Sequence, residues 1–170
     1  MDSTKVALHL YQGGIGLPDR DYYFDQDERM NKIRAEYKKH LAKIFQLLGD
    51  SEKQAALNSE TVFRIETDLA KASRKLEDLR DPHANYHQMK VAELSRLTPS
   101  IKWRDLLEKG HIRALATVIV GQPEFFQQVE KSLKQESIDN WKTYLRWNLI
   151  TTFADKVSDD FDKQNFYFYG

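Results

Sequence analysis

Two histidines four residues apart, His83 and His87, are the first residues of this sequence whose types and spacing could do chemistry. On an α-helix that spacing puts both imidazoles on one face, within reach of a single zinc ion. The surroundings argue otherwise. The pair follows Asp81-Pro82, and the residue before a proline is pushed out of the α region, so a helix ends here. The glutamate that serves as general base in an H-E-x-x-H motif is replaced by Ala84. His83 and His87 therefore read as a solvated or loop-bracing pair, and no catalytic, cofactor-binding or metal-ligating residue is assigned in the chain. Asp155, Asp159, Asp160 and Asp162 lack the glycine and closing glutamate of a calcium loop and should face solvent. Gly13-Gly14-Ile15-Gly16 lacks the remaining glycine and the immediate helix of a dinucleotide fingerprint, and neither a phosphate loop nor a G-x-S-x-G elbow occurs. His9, His40 and His111 are isolated and read as surface or packing residues. Trp141 and Trp147, six apart, lie on nearly opposed helix faces. Core positions for both are the preferred reading, with one exposed or facing a cavity as the alternative.

The most informative stretch is Gly16-Leu17-Pro18-Asp19-Arg20-Asp21-Tyr22-Tyr23. Pro18 presets φ, Asp19 is a turn former and Gly16 is free to take positive φ, so the chain corners here before its first long helix. The trio Asp19, Arg20 and Asp21 abuts Tyr22, Tyr23 and Phe24, which should be drawn into the core. Arg20 is expected to be partly buried and held by these carboxylates in fixed, bidentate geometry. A structural corner and a ligand-contacting arginine are the two readings.

This octapeptide resembles the signature of the N-terminal region of neprilysin-like zinc metallopeptidases, the family that includes endothelin-converting enzyme and bacterial oligopeptidases. Arg80-Asp81-Pro82 with Tyr86 and Met89, then Trp141 to Leu149, and finally Phe168-Tyr169-Gly170 resemble later landmarks of that region, in the same order. The sequence holds no H-E-x-x-H and no downstream Glu-x-x-x-Asp helix. The resemblance implies a non-catalytic helical lid segment, upstream of a zinc-bearing catalytic domain in a longer parent. That parent would be a metalloendopeptidase acting on oligopeptides, in the bacterial periplasm or envelope. The implied partners are the catalytic domain of the same chain and the parent's peptide substrates. A freestanding helical scaffold that presents a groove to other proteins is the alternative. An open reading frame continuing past Gly170 to an H-E-x-x-H would separate the two.

At 170 residues the chain has the length of one domain and can bury a sizeable core. Its 26 basic and 26 acidic residues cancel, which argues against a nucleic-acid or acidic-membrane binder, since either needs a basic excess. Zero cysteines excludes disulfides and thiolate chemistry. No apolar run approaches the ~18 residues of a membrane span, and Met1 to Lys5 does not lead into the apolar core of a signal peptide.

The elements needed to position these residues follow from periodicity. Val6, Leu8 and Leu10 alternate with polar neighbours as a half-buried strand, and Val118-Ile119-Val120 is a β-branched run that could pair with it. Asp25 or Asp27 caps a helix through Met30, Ile33, Tyr37, Leu41, Ile44 and Phe45 that stops at Gly49, its basic outer residues forming a solvated face. Ser51 with Gln54 forms a capping box for a helix running to Leu79, its seam Val62, Ile65, Leu69, Ala72, Leu76 and Leu79 suited to antiparallel packing on the first. His83 to Gln88 reads as a turn, Val91–Leu97 as a short helix, and Thr98-Pro99 as the start of another that ends at Gly110. Pro123 opens a further helix and Ser137 caps the last long one. Ser158 to Asn165 reads as a loop or frayed end. The predicted fold is mainly α: two long packed helices, several short ones and one or two short strands near the N-terminal corner, in a single domain. Phe161, Phe166, Tyr167, Phe168 and Tyr169 crowd the last ten residues, read as a cut through a longer chain whose exposed rings could drive self-association.

Overall fold

The structure, a computed structural model, describes residues 7–112 and 115–170. Val6, the first residue of the expected strand alternation, lies outside them. The fold is mainly α with one small sheet, in two compact units, each assembled from separate stretches of sequence.

The first unit holds the residues up to Gly13 together with Lys71–Gln135. Strand β1 (Leu8–Leu10) pairs in parallel with β3 (Thr117–Val120) in the register Leu8↔Val118. Strand β2 (His87–Lys90) pairs antiparallel on the other side of β3, giving the order β1-β3-β2. This third strand was not legible, because its first two residues, His87 and Gln88, lie within the expected turn from His83 to Gln88. Val118, Ile119 and Val120 are all buried, as befits a central strand covered on both faces. Around the sheet lie α4 (Val91–Leu97), α5 (Trp103–Lys109) and α6 (Pro123–Gln135). Thr98 does not start a helix. It closes α4, its N–H and hydroxyl both donating to the Leu94 carbonyl at 3.0 Å, while its Oγ1 accepts the Trp103 indole N–H at 2.7 Å. Helix α5 begins only at Trp103.

The second unit holds Gly14–Ala70 and Glu136–Gly170. The corner leads through a single turn, α1 (Asp21–Phe24), into α2 (Glu28–Leu47). Asp27 is the N-cap, accepting from the Met30 N–H, and Gly49 takes φ +94° just past the end, a conformation that favours glycine. Helix α3 (Glu52–Ala72) lies beside α2, the Ser59 hydroxyl donating to the Lys38 carbonyl at 2.8 Å. Only half of the capping box forms: Ser51 Oγ accepts from the Gln54 N–H, but the Gln54 amide turns to Asn58. Helix α7 (Ile138–Thr152) is capped by Ser137 and is followed by α8 (Ala154–Val157) and α9 (Asp159–Tyr169). The acidic stretch expected as loop is thus the first half of a helix: Ser158 accepts from the Phe161 and Asp162 amides, and the acidic residues Asp159, Asp160 and Asp162 sit in the first turn.

Helix α3 stops seven residues before Leu79. The Gln12 side chain takes over the backbone at Arg74, its Oε1 accepting the Arg74 N–H at 2.7 Å and its Nε2 donating to the Arg74 carbonyl at 3.0 Å. A distant side chain that satisfies both backbone groups removes the demand for another helical turn. Leu76 is consequently exposed rather than on a packed seam.

Candidate functional site

The two histidines are not brought together on a helix. His87 sits in β2 with Nδ1 3.1 Å from the Val120 carbonyl oxygen, and His83 is exposed in the turn that Asp81 caps by accepting from the His83 and Ala84 N–H groups. Among the described residues no group of three or more His, Cys, Asp or Glu is arranged to hold a metal. These residues do not fit a zinc site. Asp155, Asp159, Asp160 and Asp162 are all exposed.

The corner is organised around a residue that the seam concealed. Glu66 of α3 is 1% exposed. Its Oε2 accepts from the Tyr23 hydroxyl at 2.9 Å and the Tyr37 hydroxyl at 2.8 Å, and its Oε1 accepts from Tyr37 at 2.9 Å and the Trp147 indole N–H at 3.2 Å. The Gly16 backbone N–H is a further donor. Helices α1, α2, α3 and α7 and the corner therefore converge on one carboxyl group. Burial pushes its pKa up to about 7, against the opposing pull of these hydrogen bonds, Tyr37's foremost. Burial and the adjacent Glu66 charge together raise Tyr23 and Tyr37 far beyond the ordinary phenol range.

Hydroxyl groups grip the corner backbone on every side. Tyr144 donates to the Gly14 carbonyl at 2.6 Å, Tyr169 to the Gly16 carbonyl at 3.2 Å, and Tyr23 accepts the Leu17 N–H at 3.1 Å. A Cβ at position 16 would lie 1.9 Å from the Tyr37 hydroxyl, so only glycine permits this approach. Gly14 is approached in the same way, by the Tyr144 hydroxyl, so both glycines make room for tyrosines.

Arg20 is partly buried, its side chain 28% exposed, but the bidentate clasp is absent. Its Nε lies 3.8 Å from Asp21 Oδ1 and makes no hydrogen bond, while the guanidinium lies over the Phe24 ring at 5.6 Å. Asp19 instead accepts the Asp21 N–H at 2.8 Å, which shapes the turn. His40 is buried between the Phe168 ring, stacked at 4.9 Å, and Trp147, edge-on at 5.5 Å; burial lowers its pKa to about 4. Trp147 is core, and Trp141 is half-buried, its indole N–H without a hydrogen-bond partner.

The geometry thus defines a mainly helical chain whose second unit is held together by a buried polar hub. A family model for the N-terminal part of peptidase family M13 matches residues 1–170, and the chain belongs to that family. It is 29% identical to neprilysin-3 of Drosophila melanogaster over 94% of this chain and 22% of that one, and 27% identical to human endothelin-converting enzyme 1 over 96% and 22%. Among solved structures it superimposes on zinc metalloprotease Zmp1 of Mycobacterium tuberculosis in its open state with a TM-score of 0.89 at 28% identity, covering 95% of this chain and 25% of that one. The inhibitor complex of the same protease gives 0.86. The chain spans about a fifth of the length of the curated relatives it matches.

Proposed function

We propose that this chain is the non-catalytic helical lid segment of a zinc metalloendopeptidase, enclosing the chamber in which oligopeptides are cut and limiting the size of what enters. The observation that carries this reading is the match along the full chain to the N-terminal part of peptidase family M13, together with the likeness to Zmp1, a zinc metalloprotease captured in open, partially open and inhibitor-bound states. The catalytic zinc, its ligands and the general base belong to the part of the parent outside this chain, so peptide hydrolysis by a zinc-polarised water is assigned to the parent alone.

The second unit carries a face suited to that role. Helix α7 buries Tyr144, Trp147 and Ile150, yet on its other side Ile138, Leu145 and Leu149 are 59–74% exposed. A helix apolar on opposed faces is normally covered on both. Phe166 and Tyr167 of α9 are likewise exposed, while Phe161 is buried and Phe168 half-buried. Covering these residues is the role of the catalytic part of the same parent; in the isolated chain they favour self-association.

The test is to assay the full-length parent and the 170-residue chain side by side on short peptides. Activity in the parent that a chelator abolishes and zinc restores, with none in the isolated chain, supports the proposal. Zinc-dependent cleavage by the isolated chain, or a parent without it, overturns the reading.

A further inference from the structure

The Glu66 cluster contains more hydroxyl chemistry than packing requires. Tyr37 has one hydrogen to donate and two acceptors in reach, the Glu66 carboxylate and the Tyr169 hydroxyl oxygen. Tyr169, the last residue of α9, donates onward to the Gly16 carbonyl and is 44% exposed. All the partners of Glu66 are donors, namely Tyr23, Tyr37, Trp147 and the Gly16 N–H, which suits an ionised carboxylate. A protonated Glu66 has a hydrogen of its own to place. Tyr23 already accepts from the Leu17 N–H and donates to Glu66, so Tyr37 is the hydroxyl that turns.

We propose that the Tyr37 and Tyr169 hydroxyls form a two-position relay between the Glu66 carboxyl and the Gly16 carbonyl, so that proton uptake at Glu66 fastens the end of α9 to the corner. In the ionised arrangement the Tyr37 hydrogen points to Glu66, and Tyr169 is tied only through its own bond to Gly16. In the protonated arrangement Glu66 donates to Tyr37, Tyr37 donates to Tyr169 and Tyr169 donates to Gly16. One proton is taken from water, and no other covalent bond changes. The groups around Glu66 are Tyr23 of α1, Tyr37 of α2, Tyr144 and Trp147 of α7 and Tyr169 of α9, with His40 of α2 packed against Tyr37 and Trp147. The tyrosines stay neutral at ordinary pH, and His40, buried among aromatic rings, is neutral near pH 7. Glu66 is therefore the group of this cluster that changes charge near neutrality.

Amide hydrogen exchange of residues 164–169 in the 170-residue chain tests the relay, corrected for the intrinsic pH dependence of exchange. Protection should fall about fivefold from mildly acidic to mildly alkaline buffer in the unsubstituted chain, the loss of one neutral hydrogen bond. Glu66→Gln, whose amide always donates, should hold the high protection at every pH. Tyr169→Phe should hold the low protection at every pH, and because its ring is partly exposed it serves even if Glu66→Gln does not fold. The infrared band of a protonated carboxyl should fade over the same pH range. Protection that is flat in the unsubstituted chain, or a pH dependence that survives in Tyr169→Phe, overturns the proposal.

Discussion

Glu66 shows what a seam can hide. It lies four residues after Val62 and three before Leu69, on the same face of α3 as the buried apolar residues, so its burial was signalled by spacing alone. Its partners were also in view, as tyrosines of the corner and of α2, but nothing in the sequence says that chain segments 43 and 81 residues away meet at its oxygens. Gly16 is the converse case, legible as a turn glycine although its strictest constraint is the Tyr37 hydroxyl. Gly16→Ala should cost about 3 kcal/mol or more, because a buried hydrogen-bonded ring must move, and urea unfolding would measure it. Arg20→Ala should cost less than about 1 kcal/mol, well below what a fully buried ion pair would lose, since its Asp21 contact is long and partly exposed. A midpoint lowered as far as that of Gly16→Ala would show that the arginine is anchored by more than this pair.

Helices α2, α4, α6 and α7 were legible because their caps and apolar spacings are local. The two strands β1 and β3 were legible as an alternating and a β-branched run that could pair, whereas the parallel direction of the pairing was not. The end of α3 was not, because Gln12, 62 residues away, decides it. Helices α2 and α3 also carry two buried titratable groups with opposed consequences. Glu66 holds its proton up to about pH 7, whereas unfolded it releases it near an ordinary carboxylate value, so its contribution to stability falls as pH rises between about 4.5 and 7. His40 stays neutral down to about pH 4, whereas unfolded it gains a proton below about 6.5, so its contribution falls as pH drops through that window. Each is worth about 3 kcal/mol across its range, and where the ranges overlap they offset one another. Unfolding free energy from about pH 4.5 to 6.5 should therefore be flatter for the unsubstituted chain than for either variant. Glu66→Gln should leave stability rising with pH, and His40→Gln should leave it falling. Parallel profiles for all three proteins would mean that neither group is desolvated as its contacts imply.

At the scale of the whole molecule, the corner octapeptide and three later landmarks carried the resemblance to the family to which the chain belongs, and two of the four, the corner and Arg80-Asp81-Pro82, mark turns that the fold shows. The Arg80-Asp81-Pro82 landmark, for example, is the turn whose Asp81 accepts two backbone N–H groups and whose Asn85 donates to the Asp78 and Asp81 carbonyls, each at 2.7 Å. The terminal aromatics were legible only as a group; helix α9 sorts them, packing Phe161 and leaving Phe166 and Tyr167 exposed. Leu145→Ser with Leu149→Ser should reduce self-association of the isolated chain in sedimentation, with little change in its melting midpoint. Unaltered sedimentation of a chain that does self-associate would remove that face from consideration. The proposed lid function is tested most directly by kcat/KM of the full-length parent on a ladder of peptides that share one cleavage sequence and increase in length, ending with that sequence inside a folded protein. A steep fall with length and no cleavage of the folded protein is the predicted result; equal rates at every length, with the folded protein cut as readily, would contradict an enclosed, size-limited chamber.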